Sequence, residues 1–278
     1  MSLKIRNHIF DWGKKTYLMG ILNITPDSFS DGGEFNSLES AVAQAEVMLQ
    51  NGVDIIDIGG QSTRPGAEEI SLSEELKRVV PVIIQLRRFT AIPISIDTTK
   101  AAVAREAIAL GADLVNDISG GTFEQEMLPT VGKLNVPIIL MHTRGTPQTM
   151  EQLTQYDDVV EELIQFFQQQ IERAVACGIE RQNIIIDPGI GFAKNRQQNI
   201  ELIQRLSEFK SLNLPLLLGV SRKSFMKDII NKDNPQERVW GTAAACCSAI
   251  ALGVDILRVH DLPEMYDVSR VTDAIWRK

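Results

Sequence analysis

Eight short apolar runs each lead into a side chain with polar chemistry: Asn23, Asp57, Asp97, Asn116, His142, Asp187, the Ser221-Arg222-Lys223 run, and Arg258 with His260. Taken singly, an Asp or Asn after a strand is as often a turn former or helix cap as a functional group. Eight in succession are poorly explained that way. Asp97 is the member most open to a capping role, because Thr98 and Thr99 beside it can open a helix; Asn23, inside an apolar run, is the least. The set has acids and amides but no HExxH, no Cys or His ligand set and no carboxylate pair at helical spacing, which disfavours a tightly held metal. A weakly held Mg2+ that takes most of its ligands from substrate phosphates and water is compatible, with the Asn23 oxygen as donor.

The cations Arg64, Lys223 and Arg258, with nearby His260, suit a phosphate or diphosphate held late in the chain. The competing readings are a solvated loop charge for Arg64 and Lys223, and a buried ion pair with Asp187 or Asp57 for Arg258. GVSRKS lacks the second glycine of a nucleophile elbow. Lys223 lies in a polar run, without the apolar burial that activates an amine for Schiff-base chemistry, although Arg222 could supply a cationic neighbour. His142 reads equally as a satisfied core histidine or a catalytic one, and His8 as a surface residue.

The runs that carry these groups are YLMGILN, VDIIDIG, IPISID, DLVNDI, PIILMH, NIIIDPG, PLLLGVS and DILRVHD. Their near-continuous hydrophobicity fits parallel strands covered on both faces. Helical patterns separate them. The first has Asn36 and Glu39 as a capping box, apolar Leu38, Ala41, Val42, Ala45 and Met48, and Gly52 as a stop. The clearest start is Asn234, followed by Pro235 at the first helical position and Glu237. This alternation predicts an α/β fold, a (β/α)8 barrel forming a single domain over residues 1–278, with the active site at the carboxyl ends of the strands.

A weak repeat supports the barrel: GVDIID from Gly52, GADLVN from Gly111 and GVDILR from Gly253. It puts Asp57, Asn116 and Arg258 at one offset on the second, fourth and eighth strands. Alternate strands fill one interior layer, so the three should meet at one height, with Asp187 of the sixth strand as a fourth member. The segments 25–35, 60–70 and 143–156 are long for barrel connections and all follow strands, as active-site loops do.

Composition narrows the function classes. Lys and Arg total 28 against 36 Asp and Glu, a net charge of -8, which disfavours nucleic-acid or anionic-membrane surfaces. Cys177, Cys246 and Cys247 form no CxxC or metal spacing and read as packing thiols of a reducing compartment. No apolar leader opens the sequence and no run approaches a membrane span, so the expected location is the cytoplasm.

The segments MGILNITPDSFSDGG, DIIDIGGQSTRPGA, SIDTTK, VNDISGG, MHTRGTPQTM, IIIDPGIGFAKN, GVSRKSF and GTAAACCSAIALGVDILRVHD together resemble the dihydropteroate synthase family along nearly the whole chain. Agreement at eight ordered places is highly specific. The resemblance implies an enzyme of folate synthesis that joins 6-hydroxymethyl-7,8-dihydropterin diphosphate to 4-aminobenzoate, releasing diphosphate and 7,8-dihydropteroate. It also implies Mg2+, a homodimer and binding of sulfonamides that mimic aminobenzoate. Carried over by position, it places the pterin among Asp97, Asn116, Asp187 and Lys223, with Met141 and Gly219 as walls. The diphosphate falls to Asn23 with Mg2+, and to Arg64, Arg258 and His260. Aminobenzoate falls to Phe29, Thr63, Pro65 and Phe192, with its carboxylate near Ser224 at a helix start. Arg64, Lys223, Arg258, His260 and Asp97 are thereby the expected catalytic set, acting on a dissociative displacement, with Asp27 or Asp31 near the departing amine proton. Gln61 departs from the family pattern, which commonly has Glu there; altered loop behaviour is the expected effect. The alternatives are a methyltransferase that moves a methyl from methyltetrahydrofolate to a corrinoid protein, and a pterin-binding paralogue that has lost catalysis.

Overall fold

All eight apolar runs become parallel strands, and the residues within them are almost entirely buried. The computed structural model describes residues 2–25 and 33–277, the side chains of 33–37 excepted. In chain order the main elements are β1 (Ser2–Ile5), β2 (His8–Asp11), β3 (Tyr17–Asn23), α1 (Gly33–Gln50), β4 (Ile55–Gly59), α2 (Leu72–Arg87), β5 (Ile94–Asp97), α3 (Ala101–Ala109), β6 (Leu114–Asp117) and α4 (Met127–Leu134). There follow β7 (Ile138–Met141), α5 (Val159–Ala176), β8 (Ile184–Asp187), α6 (Arg196–Gln204), β9 (Leu217–Leu218), α7 (Lys227–Ile230), α8 (Val239–Ala251), β10 (Ile256–Val259) and α9 (Leu262–Trp276).

Strands β3 to β8 pair in sequence, β10 pairs with β3, and β9 pairs with β10. A single parallel bridge, Ile186 to Leu216, joins β8 to the entry of β9 and completes the ring. This is the (β/α)8 barrel that the alternation predicts. Outward residues such as Leu22, Ile58, Ile96, Leu140 and Leu257 pack on the helices, while Met19, Ile55, Leu114, Ile139, Ile185, Leu217 and Ile256 fill the lower interior.

The glycine-aspartate repeat has a structural purpose. Gly52, Gly111 and Gly253 have φ of 76°, 117° and 94°, the left-handed conformation that stops a helix at little cost for glycine. The aspartate two positions on then accepts from the first backbone N–H groups of the neighbouring strand: Asp54 from Leu18 at 2.8 Å, Asp113 from Ile94 at 2.9 Å, and Asp255 from Leu216 at 3.1 Å. The repeat therefore sets strand register at the amino end of the barrel.

Three local expectations change. Helix α1 already runs at Gly33, so Asn36 lies within it and is not its cap. Asn234 does cap, accepting from Gln236 N at 3.1 Å, but what it starts is a short 3-10 turn leading into α8. The antiparallel hairpin of β1 and β2 was not anticipated. Its Leu3, Ile5 and Phe10 join the lower interior cluster and close the amino end of the barrel. His8 belongs to that hairpin and is half-buried rather than a free surface residue.

Helices α4 and α5 meet at a small-residue contact. A Cβ added to Gly132 would run into the backbone carbonyl of Cys177, which cannot move as a flexible side chain could. Gly132→Ala should lower stability by roughly 1–3 kcal/mol, read as a lower urea midpoint at unchanged slope; an unshifted midpoint would show that the two helices separate freely.

Candidate active site

Strand period places the site. Two residues beyond the apolar interior residues Ile55, Leu114, Ile139, Ile185, Leu217 and Ile256 come Asp57, Asn116, Met141, Asp187, Gly219 and Arg258. Side chains alternate along a strand, so this second set forms the next layer up inside the barrel.

Arg258 is its centre. Its Nε donates to Asp57 Oδ2 at 2.6 Å and a terminal nitrogen donates to Asp97 Oδ2 at 2.6 Å. Asn116 Nδ2 donates to the same Asp57 oxygen at 3.2 Å. The ion pair expected of Arg258 thus forms with Asp57, and its second partner is Asp97 rather than Asp187. Asp187 is two strands away on β8, with Gly219 of the β9 strand end between them: a Cβ on Gly219 would lie 3.9 Å from both Arg258 Cβ and Asp187 Oδ2. A guanidinium has five N–H donors, and two are committed here, so Arg258 can hold its carboxylates and still bind an anion. Asp97 is a partner of Arg258 and not a helix cap, because α3 begins only at Ala101. Burial raises the Asp97 pKa, with Arg258 opposing and Asp57 adding to the rise.

Lys223 is packed against the loop after β8. Its Nζ lies 4.2 Å from the centre of the Phe192 ring, and its stem packs on Gly191. Burial, followed by Arg258, brings its pKa down to about 8. Arg222 is turned away into an ion pair with Asp261. Lys223 is therefore a site residue, not a solvated loop charge. Burial raises the Asp187 pKa, against which Gly189 N donates to its Oδ1 at 2.8 Å and Lys223 adds favourable charge.

His260 sits where cations converge. Burial comes first, then Arg222, Arg258, Lys223 and Arg64, and together they bring its pKa to about 3. Neutral His260 faces Ser221 Oγ with Nδ1 at 3.0 Å, and its own backbone N–H donates to that oxygen.

The loop over 60–70 is tied down twice. Gly66 N donates to Pro147 O at 2.9 Å, joining it to the loop after β7. Gln61 Oε1 accepts from Lys100 Nζ at 2.8 Å, and Lys100 also pairs with buried Glu75 at 2.8 Å. At the position where the family commonly has Glu, an amide oxygen does the accepting and leaves Glu75 as the close carboxylate of Lys100. Beneath the loop is a cavity of about 450 Å3 bordered by Gln61, Thr63, Asp97, Lys100, Phe123 and Pro147.

Not every expected residue converges. Arg64 is exposed but its charge reaches His260. Pro65 is exposed on the loop, and Ser224 is exposed at a single 3-10 turn before the four-residue α7, too short a helix for much of a dipole. Asp27, Phe29 and Asp31 lie outside the described residues. His142 proves to be a core histidine, edge-on to Phe166 with ring centres 4.8 Å apart, its Nδ1 3.1 Å from Lys194 Nζ. Lys194, Lys100 and Glu75 were missed. The only trace of Lys194 in the sequence is a lysine directly after the apolar GIGFA stretch.

For Mg2+, the expected donor is Oδ1 of Asn23, the residue that ends β3; it lies 3.5 Å from where a Gly59 side chain would begin. The chemistry of one carboxamide oxygen fits a hard cation that takes the rest of its shell from phosphate and water.

Residues 19–260 match the family model described as pterin binding enzyme. The chain belongs to the pterin-binding enzyme family. Among curated relatives, the dihydropteroate synthase of a Synechocystis strain is 58% identical over 275 residues, covering 99% of this chain and 95% of the relative. A solved dihydropteroate synthase from Clostridium difficile, in the presence of pteroic acid, is 48% identical with a TM-score of 0.92, covering 97% of this chain and 100% of that one. That of Yersinia pestis, with a sulfonamide drug, is 44% identical with a TM-score of 0.93 and covers 99% of each chain. The strand-end layer described above thus lies within the stretch matched to the pterin-binding family.

Neutral His260 makes a pH prediction. Its folded pKa is below its unfolded one, so its contribution to stability is intact above about pH 6.5 and is lost as pH falls toward 3. Buried carboxylates with raised pKa act with the opposite sign, so a difference is the clean measure. From pH 6 to 4, wild type should lose stability relative to His260→Asn by up to about 1.4 kcal/mol per pH unit; parallel denaturation profiles would show that His260 is solvated.

Proposed function

We propose that the chain is a dihydropteroate synthase, condensing 6-hydroxymethyl-7,8-dihydropterin diphosphate with 4-aminobenzoate to give 7,8-dihydropteroate and diphosphate. The observation that carries this reading is the layer of Asp97, Asn116, Asp187 and Lys223 beside apolar Met141 and Phe192, with Arg258 and His260 adjoining. A pterin presents an amino group next to a ring N–H, an edge that Asp187 can accept with two parallel hydrogen bonds. Asn116 spends an N–H on Asp57 and keeps its carbonyl for the ligand. Lys223 donates to ring nitrogen or oxygen, while Met141 and Phe192 supply flat apolar walls.

The bond that breaks joins the exocyclic pterin carbon to the diphosphate oxygen, and the bond that forms joins that carbon to the aminobenzoate nitrogen, which gives up a proton. Carboxylates close to the pterin favour the electron-poor ring as the carbon–oxygen bond lengthens. The free N–H groups of Arg258, the His260 ring and the Arg64 charge receive the leaving group, preorganised before reaction. Mg2+ bound at Asn23 through the substrate phosphates would neutralise part of the leaving-group charge. Thr63 of the 60–70 loop, with Phe192, would border the aminobenzoate side, the surface on which a sulfonamide would compete.

A homodimer is supported by apolar residues on the packed pair α8 and α9: Trp240, Val271, Ile275 and Trp276 are each more than half exposed. A cytoplasmic location is supported by three free cysteines, and no helix among the described residues is long and apolar enough to cross a membrane.

Diphosphate release and dihydropteroate formation should be matched, and both should require 4-aminobenzoate and fall on chelation of Mg2+. Arg258→Ala should lose more than roughly tenfold in turnover. Tight pterin binding with no product would instead favour the methyltransferase or the inactive paralogue. Sedimentation equilibrium at micromolar concentration should give a dimer that Trp240→Glu with Ile275→Glu dissociates; a monomeric wild type would refute the assembly.

A further inference from the structure

The loop that follows β8 is built around a buried lysine that the reaction itself does not use. Lys194 is 8% exposed. Its Nζ donates to Phe192 O at 2.8 Å and Gly189 O at 3.1 Å, and lies 3.1 Å from His142 Nδ1. His142 O is a fourth, longer acceptor at 3.4 Å, so every one of the three N–H donors of the ammonium is engaged. Ala193 before it is held at φ 49°, with its carbonyl accepting from Tyr156 Oη at 2.9 Å. His142 can accept only while its Nδ1 carries no proton, and burial with the Lys194 and Arg144 charges holds its pKa well below the ordinary value.

Each acceptor leads to the pocket. Gly189, at φ 71° and hard against the His142 carbonyl, has no room for a side chain, and its N–H donates to Asp187 Oδ1 at 2.8 Å. Phe192 is the ring under Lys223. His142 continues from Met141, and its N–H donates to Asp187 O at 3.1 Å.

We propose that Lys194 is a positioning residue for pterin recognition: its buried ammonium anchors the turn that brings a backbone N–H to Asp187 and sets a positive charge behind that carboxylate. The inference rests on the reading of Asp187 as the pterin acceptor.

The charged groups facing Lys194 are Asp187 on β8, Lys223 beyond β9 and Arg144 beyond β7, with neutral His142 in contact. Burial first, opposed by Asp187, brings the Lys194 pKa to about 7. Lys194 is therefore charged on the acid side of neutrality and gives up its charge as pH rises through about 7. The Lys194 charge lowers the Asp187 pKa, so its removal should let Asp187 protonate at a higher pH.

The test is the affinity for dihydropterin diphosphate, measured by calorimetry from pH 5 to 8.5 in wild type, Lys194→Gln, Lys194→Met and Lys194→Arg, each checked for folding by circular dichroism. Wild type should bind steadily near neutrality and lose affinity on an acidic limb. Lys194→Gln, which keeps donors but not charge, should bind within about threefold of wild type at pH 8 and roughly tenfold more weakly at pH 6, its limb moved up by about one unit. Lys194→Met, which also loses the donors, should be weaker at both; if it does not fold, Lys194→Gln carries the test. Lys194→Arg should keep the wild-type limb. An unmoved limb in Lys194→Gln, or a uniform loss at every pH, would overturn the proposal. Failure of wild type to bind the pterin would sink the functional reading instead.

Discussion

A guanidinium held between two buried carboxylates is what the rest of this barrel is arranged around. Arg258 on β10 reaches Asp57 on β4 and Asp97 on β5, and Asn116 on β6 closes on the same Asp57 oxygen. Four strands are thereby coupled through polar contacts in an interior that is otherwise apolar. Buried ions are costly unless paired and hydrogen-bonded, so the register of those strands cannot slip without exposing an unpaired charge. The same contacts leave three N–H groups of Arg258 for a ligand. One side chain is at once a fastener of the barrel and a cation with donors to spare.

Around this centre the loops are fixed by lysines rather than by their own sequence. Lys100 holds Gln61 and Glu75 at the root of the 60–70 loop, and Lys194 gathers Gly189, Phe192 and His142 behind Asp187. Both ammonium groups satisfy acceptors that would otherwise be buried without donors. Lys223, packed on Phe192, works differently: its donors remain available and its pKa has been brought nearer neutrality. Three lysines in similar loop settings thus have separate tasks, decided by what surrounds the nitrogen.

Much of this was legible in the sequence because strands have a period of two and a barrel sorts alternate strands into layers. That logic placed Asp57, Asn116, Asp187 and Arg258 at one height. It offered Asp57 and Asp187 as partners of Arg258 and did not offer Asp97, which ends the third barrel strand and so lies outside the even-numbered set that the repeat defines. It gave the wrong setting for Lys223, whose polar neighbours in sequence are not its neighbours in space. The Phe192 ring comes from another loop, more than thirty residues away. The repeat was read for its fifth residue, although Asp54, Asp113 and Asp255 have the plainer structural task. The amino-terminal hairpin escaped notice because short alternating pairs such as Leu3 and Ile5 carry little periodic signal alone.

That hairpin makes the barrel a vessel with one door. With Leu3, Ile5 and Phe10 seated across the amino end, nothing can pass through the axis, and every molecule that reaches the layer of Asp57, Asn116, Asp187 and Arg258 arrives and departs by the loop face. Depth then becomes sequence in time: the molecule bound nearest the floor has to be seated before anything is laid over it, and is the last to leave.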